Sequence, residues 1–445
     1  MNLNNPPALD SPLERQRKHV FFPWSKQNSA KPFHIIEAKG VHLTLLDGSQ
    51  VLDFNSSVFN ANLGHQHPGM QTAMIEAAKH ACVTHPALIH EEKIKLGENL
   101  ARITPGKPYE GLVKSFFCLG GAEANENAIK MARLVTGRQK IVTRYRSYHG
   151  ATLAMIGYSG DYRRIPFDGT VNGVIRIPDP YPRGSGQSID TIRLLEEILE
   201  IEGPETVACI LLEGVTGANG VFIPPPDYWT RIRQICDKYG IILIADEVMS
   251  GFGRTGKWFG IDHFGVEPDI MTMAKGLTAG YAPLGAVIVT DKIAQHFENE
   301  TLWCGLTNYG HPFSCAIANA AISIYEQENW IDNAAKRGDE LAQLLQALKN
   351  NNAYVAEVRS IGLLAAIDLR KGPHDERPYV SYRAQGEEAE KAQALQSALL
   401  SAGVYCTVRF GTLILAPPLC VTAEELKQGI DIISSVLGKI LSSNA

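Results

Sequence analysis

The chain has 445 residues, long enough for one large domain and a smaller one with its own core. It is 45% hydrophobic and 20% charged, with a formal net charge of −5, a balance that argues against nucleic acid or an acidic membrane surface as the main partner. Eight cysteines with no C-x-x-C pair argue against a disulfide framework or a metal site and for a reducing compartment.

No apolar stretch reaches the length of a membrane span, and the polar, proline-containing start MNLNNPPALDSPLERQRKH does not read as a secretory signal. A cytoplasmic protein is expected. Ile35–Leu46 and Gln50–Phe54 straddle Asp47-Gly48, which predicts a hairpin. From about residue 110 to 330, short apolar runs alternate with amphipathic segments, the pattern of an α/β domain with a mostly parallel sheet. Strands are predicted at Lys114–Leu119, Lys140–Tyr145, Val207–Glu213, Ile241–Asp246, Ile270–Met273 and Gly285–Thr290. Helices are predicted at Ala122–Thr136, with Ala124, Ala128, Met131, Ala132 and Val135 on one face, and at Tyr228–Tyr239, ended by Gly240. Pro178–Asp190 reads as a long surface loop. Then come a helix over Asn333–Asn350, strand-like Val355–Ile367 and a polar insert around Lys371–Glu388. The last helix opens at Thr422, where T-A-E-E forms a capping box with Glu425.

Three segments carry chemistry. In LGGAEANENAIKMAR, Gly120 and Gly121 lie between an apolar strand and a helix start, where free N–H groups and the helix dipole can hold a phosphate. A plain glycine-rich helix entry accounts for that segment alone equally well. In IILIADEVM, a buried strand delivers Asp246 and Glu247 to its C-terminal end, where open α/β sheets place ligands; the plainer reading is the start of a solvated loop. In MTMAKGLTAGYAPLG, Lys275 follows another apolar strand among small residues, a setting that favours a neutral amine nucleophile, although most lysines are surface groups. Neither the Walker loop nor G-x-G-x-x-G is present. Together the three call for a ligand with one phosphate, a protonated ring nitrogen and an aldehyde, and pyridoxal phosphate (PLP) has all three.

In order and spacing, GGAEANENAIKMAR, YRSYHGAT, LLEGVTGANG, IADEVMSGFGRTG, AKGLTAGYAPLGA, GLTNYGHPFSCA and RFGTLILAPPL resemble the class III (ω-type) PLP-dependent aminotransferases of fold type I, over about residues 15–440. The resemblance implies an α/β fold. A large domain (76–335) would hold a mostly parallel seven-stranded sheet flanked by helices, and a small α+β domain would be built from both termini (1–75 and 336–445). It implies Lys275 as Schiff-base lysine and proton shuttle, Asp246 on the pyridine nitrogen, Val248 and Tyr148 on the two ring faces, and Gly120, Gly121 and Ala122 at the phosphate. His149, Glu213 and Met249 would also belong to the cofactor site, and Thr307 would reach the phosphate of a neighbouring subunit, making a homodimer the catalytic unit. Serine is common in the family at Gly121 or Ala122, and glutamine at Met249, so side-chain contacts differ here.

Arg409 matches the arginine that clasps the acceptor's carboxylate. Ala218 stands where 4-aminobutyrate-type relatives have a glutamate that pairs with it, which moves the resemblance toward ω-amino acid and amine transaminases. The entry segment HVFFPWS and the short Arg409-to-Pro417 spacing resemble taurine-type enzymes, and imply Trp24 and Phe59, with Phe22 beside them, in the donor pocket. The expected donor is a terminal amine carrying an acidic group, such as taurine or β-alanine, with pyruvate or 2-oxoglutarate as acceptor. A hydrophobic or natural-product amine is the alternative, and a PLP-free scaffold the remote one.

Overall fold

The computed structural model describes residues 11–80, 85–181 and 190–442. Gly40, at φ +57°, breaks the first predicted strand in two. The expected hairpin is therefore a meander of β1 (Ile35–Lys39), β2 (His42–Leu45) and β3 (Gln50–Asp53), with Asp47-Gly48 turning β2 into β3.

All six predicted strands of the central region are present, within two residues at each end: β4 (Leu112–Cys118), β5 (Lys140–Arg144), β7 (Val207–Glu213), β8 (Ile242–Asp246), β9 (Ile270–Met273) and β10 (Gly285–Thr290). β6 (Val174–Ile177) joins them at the sheet edge, a four-residue strand with Arg176 in its middle that the sequence pattern did not separate from the loop after it. The seven strands run β4-β10-β9-β8-β7-β5-β6, with only β10 antiparallel to its neighbours. Every residue of β7 and β8 is buried, as strands covered on both faces require, which explains their unbroken apolar sequences.

The helix after β4 spans Gly121–Thr136 and buries Ala124, Ala128, Met131 and Ala132. Tyr228–Tyr239 ends at Gly240 in the left-handed conformation. Of the predicted loop Pro178–Asp190, residues 182–189 lie outside the described residues, as does the N-terminal stretch 1–10.

Val355–Ile367 is a hairpin rather than one strand. β11 (Val355–Ile361) turns at Gly362, φ +54°, into β12 (Leu364–Gly372), and a side chain at Gly362 would meet the Thr255 backbone at 2.2 Å. The polar insert contains β13 (Asp375–Pro378), paired with β12. It leads into an unpredicted helix, Glu387–Ser401, whose glutamate-rich first turn hid the buried Leu395 and Leu399. β14 (Val404–Tyr405) pairs in parallel with β3, so the N-terminal meander is completed by the C-terminal part of the chain. β15 (Thr407–Arg409) and β16 (Thr412–Leu415) extend the sheet of β11 and β12. The last helix, Ala423–Ser442, is capped as its sequence predicts: Glu425 N–H donates to Thr422 Oγ1 at 3.1 Å, and Thr422 N–H to Glu425 Oε2 at 2.9 Å. Among the described residues no helix is long and apolar enough to cross a membrane.

This topology fixes where a ligand binds. Glu213 ends β7 in register with Asp246, which ends β8, and Asp246 is in register with Thr272 of β9, three residues before Lys275. The start of the Gly121–Thr136 helix faces the same strand ends.

Candidate active site

A cavity of about 330 Å³ opens at those strand ends, within the range of small-molecule sites. Every residue expected at the cofactor lines it except Thr307, which is exposed and lies apart from it. The cavity therefore collects Lys275, Asp246, the Gly120–Ala122 helix entry, Tyr148 and His149, Glu213, and the Val248-Met249 pair from five separate segments.

Asp246 is 3% exposed and its carboxylate is fully oriented. Oδ2 accepts from Asn125 Nδ2 at 2.8 Å and from His149 Nδ1 at 2.7 Å, and Oδ1 accepts from Val248 N–H at 3.0 Å. A carboxylate only accepts, so the His149 proton sits on Nδ1. Asn125 also donates to His149 C=O and accepts from Thr272 Oγ1, tying three elements to one acid. The sequence reading missed Asn125. Its signal was an asparagine beside Ala124 among the buried positions of the helix, which otherwise hold apolar residues and Asn127. Glu247, whose plainer sequence reading was a solvated loop, is fully buried and accepts from Ser250 Oγ and from the N–H groups of Gly260 and Ile261. It belongs to the scaffold beneath the site, not to the cavity lining.

Lys275 has φ +45°, a left-handed conformation that disfavours any residue with a Cβ and is found at sites where surrounding structure enforces it. Burial lowers the pKa of its amine, while Asp246 and Glu213 partly oppose that shift. Glu213 is held by Tyr148 N–H at 3.1 Å and Gly217 N–H at 2.9 Å, so it is at once a wall of the cavity and the anchor of two loops. Burial raises its pKa, with His149 and Arg144 opposing.

No side chain caps the Gly121–Thr136 helix, so its first-turn N–H groups remain for a ligand. A Cβ at Gly121 would sit 2.8 Å and 2.9 Å from the two methyls of Val248, so glycine lets the helix entry pack against that side chain. Gly121→Ala is expected to push Val248 into the cavity and weaken cofactor retention about tenfold, the scale of a modest overpacking. Reconstitution titrations followed by cofactor absorbance check this, and unchanged retention would refute the cradle.

Of the expected substrate residues, Phe59 is buried with its ring centroid 5.7 Å from Lys275 Nζ. It is carried by a short left-handed turn, Ser56–Phe59, with φ between +49° and +63°. That turn is held by Asn55 Oδ1 on Val58 N–H and by Ser56 Oγ donating to Ala416 C=O. Trp24 is exposed at the periphery, and Phe22 is buried away from the cavity lining. The Arg163 guanidinium connects Trp24 to the site: it lies 4.6 Å from the Trp24 ring centroid and 4.1 Å from that of Tyr148. Arg409 donates to the C=O of Ala218, a cavity residue, at 3.1 Å, and pairs with Asp161 at 2.5 Å. Neither Asp161 nor Arg163 was singled out in the sequence, where SGDYRR looks like an ordinary polar turn.

The class-III aminotransferase family profile matches residues 24–437. The chain belongs to this family. It is 31% identical to the taurine–pyruvate aminotransferase of Bilophila wadsworthia over 93% of this chain and 95% of that one. It is 30% identical to the putrescine–pyruvate aminotransferase of Pseudomonas aeruginosa over 93% and 92%. The solved taurine:2-oxoglutarate aminotransferase of Bifidobacterium kashiwanohense, in complex with PLP and glutamate, superposes with a TM-score of 0.92 at 35% identity, covering 97% of both chains.

The protein is thus a PLP-dependent transferase of fold type I. Its own residues fit the cofactor. Asp246 has three of about four acceptor sites filled, leaving one for a ring N–H. A Cβ at Gly121 would crowd Val248, and the half-buried Lys275 lines the same cavity.

Proposed function

We propose that this aminotransferase moves the amino group of a terminal amine bearing an acidic group, such as taurine or β-alanine, to pyruvate or 2-oxoglutarate. The observation that carries the reading is the pair of guanidiniums, Arg163 and Arg409, held at the rim of the cavity within reach of Tyr148 and Ala218. Relatives named for taurine support it.

In this reading Lys275 binds the cofactor's aldehyde and Asp246 its ring nitrogen. The N–H groups of Gly121 and Ala122 take the phosphate, while Val248 and Tyr148 flank the ring. Bound PLP supplies an electron sink conjugated to the amine-bearing carbon. Released from the aldehyde, Lys275 Nζ takes the proton from that carbon as a neutral amine, the form its lowered pKa favours, and returns a proton as the ammonium so formed. Asp246, fixed by Asn125 and His149, holds the ring nitrogen's proton throughout. Arg409 orients the acid group of the acceptor.

Thr307 completes the phosphate site of a second copy, which makes a homodimer the catalytic unit. The exposed Trp303, Leu88 and Ile89 are apolar surface that a second copy would cover. We place the enzyme in the cytoplasm, where the free thiols of its described cysteines stay reduced.

The second reading is a hydrophobic or natural-product amine, favoured by the aromatic rings of Trp24, Tyr148 and Phe59 around the entrance. A donor-by-acceptor panel following the pyridoxal-to-pyridoxamine half reaction separates the two. Taurine and β-alanine are expected to react at least about tenfold faster than a long-chain amine. Inactivity with both, alongside turnover of the long-chain amine, would select the second reading.

A further inference from the structure

Asp161 lies in the turn after the helix Leu153–Tyr158 and is fully buried. Its Oδ1 accepts from Arg163 N–H at 2.9 Å and Nε at 3.0 Å, and its Oδ2 from Arg163 Nη2 at 3.2 Å and Arg409 Nη2 at 2.5 Å. One carboxylate thus serves two guanidiniums, one from its own turn and one 248 residues further along the chain. Both are confined by aromatic rings. Arg163 sits between Trp24 and Tyr148, while Arg409 lies 5.4 Å from the Tyr162 ring centroid and 5.8 Å from that of Phe410. Burial alone would raise the Asp161 pKa; the hydrogen bonds from Arg163 and the charge of Arg409 outweigh it, so the carboxyl titrates below its usual range and is ionised.

We infer that Asp161 is a specificity-determining residue, the internal counter-ion that sets how strongly the cavity prefers an acidic substrate arm over a neutral one. The inference rests on the proposed acid-bearing substrates. Two guanidiniums against one carboxylate leave a single net positive charge at the rim. That charge attracts one carboxylate or sulfonate, and a charge-assisted bidentate contact to a guanidinium is the strong way to bind it. A rim with two unbalanced charges would hold acids too firmly and penalise any neutral arm that has to lie against it. A transaminase admits two different substrates to one cavity in turn, so the rim has to bind an acid and also release it. Ala218 offers Arg409 only a carbonyl, which leaves Asp161 as the only carboxylate paired with that guanidinium among the described residues.

The test compares propionate with propionamide, an acid and its neutral counterpart of the same size, as inhibitors of the holoenzyme. Binding is also read directly from the cofactor's absorbance. In Asp161→Asn, propionate is expected to bind about tenfold tighter, the scale of one charge-assisted hydrogen bond, with propionamide changing less than about twofold. Unchanged or weaker propionate binding, or equal shifts for both probes, would overturn the inference. If Asp161→Asn does not fold, Arg163→Gln decides, because it leaves Asp161 to neutralise Arg409 alone. Propionate should then bind about tenfold more weakly and propionamide should not, whereas equal shifts would overturn the inference. A wild-type holoenzyme that binds propionate no better than propionamide would instead overturn the acid-substrate reading itself.

Discussion

Lys275→Ala is expected to lower transamination by at least about 10⁴-fold, the upper end of what a positioned acid–base group contributes, because the same amine also holds the cofactor. The structure gives the residue no stand-in. The cavity lining contains no second lysine, and the two carboxylates near the amine are already engaged: Glu213 holds the N–H groups of Tyr148 and Gly217, and Asp246 accepts from Asn125, His149 and Val248 N–H. Lys275 is also held at φ +45°, a backbone cost that packing sustains at this position. Alanine tolerates that conformation no better than lysine does, so the variant should keep its fold and its cofactor cradle while losing reactivity. Single-turnover measurements on the reconstituted variant check the rate. Borohydride treatment followed by intact mass checks the covalent link, which should be present in the wild-type enzyme and absent from the variant. Substantial transamination by Lys275→Ala would overturn the assignment of this residue.

The parts of the site legible in the sequence are those that local patterns carry. β7, β8 and β9 are mostly apolar because both faces are covered, so the residues at or just past their ends, Glu213, Asp246 and Lys275, stand out against the strands that deliver them. The glycines before the Gly121–Thr136 helix stand out for a similar local reason. What stayed hidden depends on contacts between distant segments. Asn125 reaches Asp246 across 121 residues, and Asp161 reaches Arg409 across 248; a single sequence read locally does not show such pairs. The edge strand β6 and the helix Glu387–Ser401 were missed because partial exposure mixes charged residues into the apolar pattern that marks buried elements. Resemblance to the family could not supply Asp161 either, since the glutamate it led one to look for is Ala218 in this chain.

Asp246→Asn is expected to lower kcat by about 10³-fold and to weaken cofactor binding, because it strips the site of a buried charge around which three donors are arranged. The substitution keeps the volume of the side chain but turns one acceptor oxygen into a donor. Whichever way the new amide faces, it cannot serve Val248 N–H on one side and both Asn125 Nδ2 and His149 Nδ1 on the other. If the amide nitrogen faces Oδ2's position, it meets two donors; if it faces Oδ1's, it meets a backbone N–H. His149 has room to adapt only by shifting its proton to Nε2, an atom with no hydrogen-bond partner among the described residues, so the rearrangement leaves the ring's orientation less well defined. A neutral group facing the ring nitrogen also no longer favours its protonation, which removes the electron sink at the step where Lys275 takes the substrate proton. The defect should therefore fall mainly on kcat, with KM for the amine donor changing much less. Steady-state kinetics together with a cofactor titration separate these terms. An Asp246→Asn enzyme with kcat within about tenfold of the wild type would show that this carboxylate orients the site without controlling the charge on the ring.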